Sequence, residues 1–226
     1  MPDLADTGKK PPIVCYVTDR KAIHSATPVR SVLEMIGAAI AAGVDWVQIR
    51  EKDLPARELL ELVREAVDIS RNGRSNAQVL VNDRLDVALA AGAAGVHLGR
   101  ESLPAREAAR WCRAGNAPRG FLIGVSCHSS EETCEAEEAG ADYVLFGPIY
   151  DTPSKRQFGA PQGVGRLTEA CSAVRIPVLA IGGISEQNAA ACLRARAAGI
   201  AAIRMFQEAK DGPTLKEIIA RLHQGL

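Results

Sequence analysis

The sequence predicts a single-domain α/β protein, a (β/α)8 TIM barrel, and three observations carry that expectation. Short apolar runs suited to strands alternate with amphipathic stretches suited to helices about eight times, at intervals of roughly 25 to 30 residues. The apolar runs scarcely alternate in polarity, as in parallel strands covered on both faces. The chain has 226 residues, 47% of them hydrophobic but only 4% aromatic, which suits one barrel whose core is built from Ala, Val, Ile and Leu. A doubly wound open sheet is the competing arrangement. It is disfavoured because no G-x-G-x-x-G follows the first strand and no P-loop occurs.

Taken in order, polar residues 1–12 read as a flexible leader, and 13–226 as the barrel domain. Ile13 to Val17 forms the first strand, and Thr18-Asp19-Arg20 ends it. From Pro28, residues Val29, Val32, Leu33, Ile36, Ala39 and Ile40 recur at helical spacing until Gly43 stops the helix. Val44 to Ile49 is the second strand, closed by the charged run Arg50-Glu51-Lys52-Asp53. A long helix from about Ala56 buries Leu59, Leu60, Leu62, Val63 and Val67. Val79 to Val81 then leads into Asn82-Asp83-Arg84 and an Ala-rich helix, and Gly95 to Leu98 into Gly99-Arg100-Glu101-Ser102 and a helix opened by Pro104.

Phe121 to Val125 leads into Ser126-Cys127-His128-Ser129 and a Glu-rich helix. Tyr143 to Phe146 is the sixth strand, broken by Gly147-Pro148 before a loop carrying Asp151, Thr152, Ser154, Lys155 and Arg156. Ile176 to Ile181 precedes Gly182-Gly183-Ile184 and a helix capped by Ser185. Ile200 to Ile203 leads into Arg204-Met205, and a last helix spans Pro213 to about His223.

In this architecture the functional face is built from the loops that follow the strands. Those loops bring Gln48, Arg50, Lys52, Asn82, Asp83, His97, Ser126, His128, Thr152, Lys155, Gly183 and Arg204 to one rim. If strand geometry persists, Gln48, Arg50 and Lys52 alternate onto one face and can hold diphosphate oxygens. Asn82-Asp83 offers hard oxygens suited to Mg²⁺, while Asp83 is equally suited to capping a helix that begins at Arg84. Gly182-Gly183 lets backbone N–H groups approach a phosphate at a helix start. Viewed singly, His97 reads as a hydrogen-bonded core histidine, whereas His128, in a polar loop, suits ligand contact or proton transfer.

Composition narrows the partners. Lys+Arg and Asp+Glu both total 27, so no global field favours nucleic acid or an acidic membrane. The six cysteines form no CxxC pair and no regular framework, which fits reduced thiols in a cytoplasmic protein. No apolar run approaches the length of a membrane span.

The motifs Val47-Gln48-Ile49-Arg50-Glu51-Lys52, Val81-Asn82-Asp83-Arg84, Gly95-Val96-His97-Leu98-Gly99, Gly124-Val125-Ser126-Cys127-His128-Ser129, Gly147-Pro148-Ile149-Tyr150 with Thr152 and Lys155, and Ala180-Ile181-Gly182-Gly183-Ile184 together resemble the thiamine phosphate synthase family, which includes thiazole tautomerases. The resemblance implies joining of an aminopyrimidine methyl diphosphate to a thiazole phosphate, with release of pyrophosphate. It implies catalytic roles for Arg50, Lys52, Ser126, His128 and Lys155. Substrate contacts would come from Gln48, Asn82, His97, Thr152, Ser154, Gly183 and Arg204, and Mg²⁺ would be held by Asp83 and Glu101. A homodimer is compatible with this reading.

Two positions depart from the family pattern. Gly99-Arg100-Glu101-Ser102 stands where synthases usually have Gly-Gln-Glu-Asp, so Glu101 substitutes for the second carboxylate or the metal rests on Asp83 and substrate oxygens. Arg204 stands at the family's phosphate-binding serine, where its guanidinium offers a charged fork. These departures leave two alternatives: a metal-independent thiazole tautomerase using His128, and a non-catalytic paralogue that binds a thiamine precursor.

Overall fold

The computed structural model describes residues 10–73, 75–152, 160–209 and 211–225. Eight parallel strands follow one another round a closed barrel: β1 (Ile13–Val17), β2 (Trp46–Ile49), β3 (Gln78–Asn82), β4 (Gly95–Leu98), β5 (Leu122–Cys127), β6 (Tyr143–Phe146), β7 (Val178–Ile181) and β8 (Gly199–Ala202). The ring closes where β8 pairs with β1, Ile13 opposite Gly199 and Tyr16 opposite Ala202.

Helices α1 (Pro28–Ala42), α2 (Ala56–Asn72), α3 (Leu85–Ala91), α4 (Ala105–Trp111), α5 (Ser130–Glu138), α6 (Gly163–Ala173), α7 (Glu186–Arg194) and α9 (Gly212–His223) pack outside, and a short α8 (Arg204–Gln207) follows β8. Helix α1 starts with Pro28, where a missing N–H costs nothing, and stops at Gly43, whose φ of 101° few other residues tolerate. In α2, Leu59, Leu62, Val63, Ala66 and Val67 are buried, so its apolar stripe faces the sheet.

Strand periodicity divides the core in two. Val14, Tyr16, Val47, Ile49, Val79, Val81, Val144 and Phe146 face the helices. Cys15, Val17, Leu80, Tyr143, Leu145, Leu179 and Ala201 form a separate cluster inside the barrel. This cluster fills the barrel interior, and the rim at the strand C-termini is where such a barrel places its ligand site.

Several boundaries differ from the sequence expectation. β2 begins at Trp46 rather than Val44, and β5 runs on to Cys127, which places Ser126 on a strand rather than in a loop. Pairing with β6 explains the extension, since Ser126 stands opposite Leu145 and Cys127 opposite Phe146. Helix α8 was not expected, because four residues are too few to show a helical period. Residues 1–9 of the leader lie outside the described residues.

Candidate active site

One cavity of about 850 Å³ opens at the strand C-termini. Its apolar walls are Val17, Leu145, Ile181 and Ile203, and its polar lining includes Gln48, Arg50, Asn82, His97, Ser126, His128, Thr152, Gly183 and Arg204. The polar residues expected to share one rim from their places after strands therefore do meet, except Lys52 and Asp83, which stand outside the lining, and Lys155, which lies outside the described residues.

The deep end is built by neighbouring strand positions. Asn82 of β3 stands opposite His97 of β4, and His97 opposite Gly124 of β5. The Gln48 Nε2 donates to Asn82 Oδ1 at 3.2 Å, while the Gln48 Oε1 is buried and meets no hydrogen-bond partner among the described residues. A buried acceptor left open on a cavity wall suits a ligand N–H. His97, 1% exposed, touches Ser126 Oγ through Nε2 at 2.8 Å and the Tyr143 hydroxyl through Nδ1 at 3.2 Å. The core-histidine reading thus describes its packing, and the cavity lining adds access to a ligand.

Arg50 is set by a network beneath it. The Thr18 hydroxyl accepts from the Arg50 N–H at 3.0 Å and donates to Glu51 Oε1 at 2.6 Å. Glu51, 4% exposed, also accepts from the Arg20 N–H and guanidinium. Arg20 continues to Asp53 through two bonds of 2.7 and 2.9 Å, which hold the Asp53 carboxyl well below its ordinary range. The chain therefore leaves strand geometry after Ile49 and turns over Glu51, whose carbonyl accepts from the Leu54 N–H. As a result Lys52 is exposed and stands outside the cavity lining, contrary to the alternation expected for Gln48, Arg50 and Lys52.

His128 follows β5. Its backbone N–H donates to Glu132 Oε2 at 2.6 Å, and its Nδ1 sits against the Gly147 carbonyl. A carbonyl only accepts, so Nδ1 carries hydrogen and, in the neutral ring, Nε2 keeps its lone pair. Cys127 beside it is no rival nucleophile: burial, reinforced by Glu132, pushes its thiol up to about 12.

The opposite wall is a close contact between two loops. A Cβ on Gly182 would lie 2.6 Å from Pro148, and one on Gly183 would lie 2.7 Å from Tyr150 Cβ and 2.8 Å from the Asp151 carbonyl oxygen. Both glycines also have positive φ, 96° and 67°. Asn188 fixes this turn by donating to the Gly183 carbonyl at 2.9 Å and accepting from the N–H of Ser185, the expected cap of α7, at 2.8 Å. Arg204, at the start of α8, reaches across to Thr152 Oγ1 at 3.3 Å, joining the segment after β8 to the sixth loop over the cavity. It therefore points into the site. Ser154 and Lys155 lie outside the described residues.

The two residues assigned to metal sit apart from the lining. Asp83 is exposed, with φ 71°, and its N–H donates to the His97 carbonyl at 2.8 Å. It does not cap α3, which begins at Leu85 after Arg84. Glu101 is exposed in the turn after β4, where Ser102 Oγ accepts from the Gly99 N–H at 2.7 Å. Among the described residues no group of three or more His, Cys, Asp or Glu gathers in a metal-holding arrangement. Sequence reasoning missed Tyr143 behind His97, and the acidic lining residues Asp19, Glu186 and Glu208, because strand interiors and helix starts gave no sign of them. No described helix is long and apolar enough to cross a membrane.

Comparison with known proteins agrees with this geometry. The family model described as thiamine monophosphate synthase matches residues 14–206. A putative thiamine-phosphate synthase from Geobacter sulfurreducens is 47% identical over 187 residues, covering 83% of each chain. A thiamine-phosphate synthase from Roseiflexus castenholzii is 39% identical, covering 88% of this chain and 82% of the relative. Among solved structures, a thiamine phosphate pyrophosphorylase from Pyrococcus furiosus superposes with a TM-score of 0.79 at 32% identity, covering 94% of this chain and 95% of that one. With its barrel closed, its family motifs gathered at one rim and the family model matching most of its length, the chain belongs to the thiamine monophosphate synthase family.

Proposed function

We propose that the protein is a thiamine-phosphate synthase, a transferase that joins an aminopyrimidine methyl diphosphate to a thiazole phosphate and releases pyrophosphate. The observation that carries this reading is the two-ended cavity. Its deep end presents the open Gln48 acceptor beside Asn82, His97 and Ser126, and its far wall presents the Gly182-Gly183 turn with Arg204. An amino-substituted ring suits the first and a phosphate the second.

In this reading Gln48 Oε1 accepts from the ring amine, which fixes the pyrimidine with its diphosphate toward Arg50 and Ser126. Breaking the carbon–oxygen bond adds charge to the departing pyrophosphate. Arg50 and the Ser126 hydroxyl stabilise that charge more in the transition state than before it. The Gly183 N–H, Thr152 and Arg204 hold the thiazole phosphate so that its ring nitrogen faces the carbon being released. The family resemblance gives Lys155, which lies outside the described residues, as a further cation for the pyrophosphate. Val17, Leu145, Ile181 and Ile203 line the reaction space and limit water's access to the electron-poor carbon.

Mg²⁺ is compatible with the donor set. The exposed Asp83 carboxylate makes no hydrogen bond or ion pair with a described residue, and Mg²⁺ asks only one or two protein carboxylates when phosphate oxygens complete its shell. Asp83 would hold the ion, and its chemistry when bound would be neutralisation of diphosphate charge. Glu101 is the second donor proposed from the sequence. The test is a two-substrate assay: thiamine phosphate and pyrophosphate should form in equal amounts with Mg²⁺, and chelation should suppress both. Absence of pyrophosphate release with both substrates present would overturn the reading.

One observation favours a second reading. The Gly147 carbonyl leaves His128 Nε2 with a lone pair, as a thiazole tautomerase would require of a base. Under that reading His128→Asn abolishes tautomer exchange with ligand affinity intact. Under the synthase reading it lowers the two-substrate rate without creating or removing an isomerase activity.

A further inference from the structure

We propose that Tyr143 is a positioning residue that sets the direction of a hydrogen-bond chain running from the barrel core to the cavity, Tyr143 to His97 to Ser126, so that the Ser126 hydroxyl is left to donate to the ligand. Three observations carry the proposal. The Tyr143 hydroxyl is buried in the barrel interior and its one hydrogen-bond partner among the described residues is His97 Nδ1, at 3.2 Å. His97 Nε2 is 2.8 Å from Ser126 Oγ, and both His97 and Ser126 line the cavity. The ring of Tyr143 is held on two sides: it packs on Trp46 at a centroid distance of 4.7 Å, and a Cβ at position 124 would lie 2.0 Å from its Cζ. Gly124 therefore leaves the space in which Tyr143 reaches His97.

The direction of the chain follows from counting protons. Burial keeps the Tyr143 phenol un-ionised, far above its ordinary titration range, so it always carries a hydrogen. A buried hydroxyl hydrogen without an acceptor is costly, and Nδ1 of His97 is the acceptor in place. If Nδ1 accepts, the neutral imidazole carries its hydrogen on Nε2, and Nε2–H donates to Ser126 Oγ. With its oxygen lone pair so occupied, Ser126 turns its own hydrogen into the cavity. The opposite tautomer would orphan the Tyr143 hydrogen and draw the Ser126 hydrogen inward, leaving the serine oxygen facing an anionic ligand with a lone pair. One phenol in the core thus selects between a donor and an acceptor at the site.

The activity readouts rest on the synthase reading, but the tautomer does not. Nitrogen-15 NMR of imidazole-labelled protein near neutral pH should show His97 with Nδ1 of the unprotonated type and Nε2 protonated. A proton on Nδ1, or on both nitrogens, would overturn the proposal whether or not the protein makes thiamine phosphate. Tyr143→Phe removes the phenol oxygen and keeps the ring, and should shift His97 toward a mixture of tautomers. In the two-substrate assay it should lower kcat roughly ten-fold, the size of one charge-assisted hydrogen bond misdirected, with KM values within about two-fold. The same substitution in a Ser126→Ala background should cost no further rate. An equal loss in both backgrounds would mean that Tyr143 acts only by packing. Should Tyr143→Phe fail to fold, the wild-type nitrogen spectrum alone still decides the tautomer.

Discussion

Gln48 is 2% exposed, and its amide oxygen meets no donor among the described residues. Leaving such a group unmet costs about 1–3 kcal/mol, which a ligand N–H would recover on binding. Gln48→Met should therefore leave thermal stability within about 4 °C of the parent, since the lost bond to Asn82 and the removed orphan offset each other. KM for the pyrimidine diphosphate should rise ten-fold or more, as read by initial rates. A large fall in melting temperature with unchanged KM would assign Gln48 to the core instead. At this scale the sequence was informative where a polar residue sits on an inward strand position, as with Gln48, Asn82 and His97. It was misleading at Lys52, because alternation stops when the chain leaves the sheet, and the partners of buried Glu51, Thr18 and Arg20, lie about thirty residues earlier. It was silent on Tyr143, whose role depends on the space beside Gly124 on another strand.

The loops act as paired elements. Arg20 in the first loop holds Glu51 and Asp53 in the second, and the Thr18 hydroxyl links this clamp to the Arg50 backbone. The Arg20 bonds, with help from Lys21, depress the Asp53 carboxyl below its ordinary 3.8. A depressed acid stabilises the fold above its unfolded value and stops doing so as pH falls through its folded value. Asp53→Asn should thus show a lower urea midpoint than the parent at pH 6, and the gap should close progressively below about pH 4. A constant gap would locate the effect outside this ion pair. The seventh loop is pinned differently, by shape. Gly183→Ala meets both a positive φ, costing about 1–2 kcal/mol, and the Tyr150 and Asp151 backbone. KM for the thiazole phosphate should rise at least ten-fold, with KM for the pyrimidine diphosphate within about two-fold. Equal losses on both substrates would deny the glycine turn a phosphate role. Strand and helix order was legible because apolar runs and caps are local, whereas α8 is four residues long and is held by the turn after β8.

Over the whole molecule, 27 basic and 27 acidic residues leave no net field to draw an anion, so binding must come from the rim. Closure of that rim was readable from the number of βα units, but the balance of charge around it was not. Among the described lining residues Arg50 and Arg204 face Asp19, Asp151, Glu186 and Glu208, and Glu186 is already held by Arg221. Asp19 and Glu208 therefore offset part of the attraction that the two guanidiniums offer a diphosphate entering alone. A divalent ion travelling with it, and received by Asp83, would restore that attraction. Pyrophosphate binding, measured as a rise in melting temperature, should then depend on Mg²⁺. At about a hundred times its dissociation constant the ligand adds roughly 2.7 kcal/mol, or about 5–10 °C for a chain of this length. With Mg²⁺ removed by chelation the rise should fall below about 2 °C, and Asp83→Asn should lose most of the rise that Mg²⁺ confers. Glu101→Gln separates the remaining alternatives: a matching loss makes it the second donor, and an unchanged shift leaves the ion to Asp83 and phosphate oxygens. If pyrophosphate stabilised the chelated protein as strongly, the arginines and the Gly183 turn would suffice by themselves, and the carboxylates around the mouth would not govern the charge of the ligand it accepts.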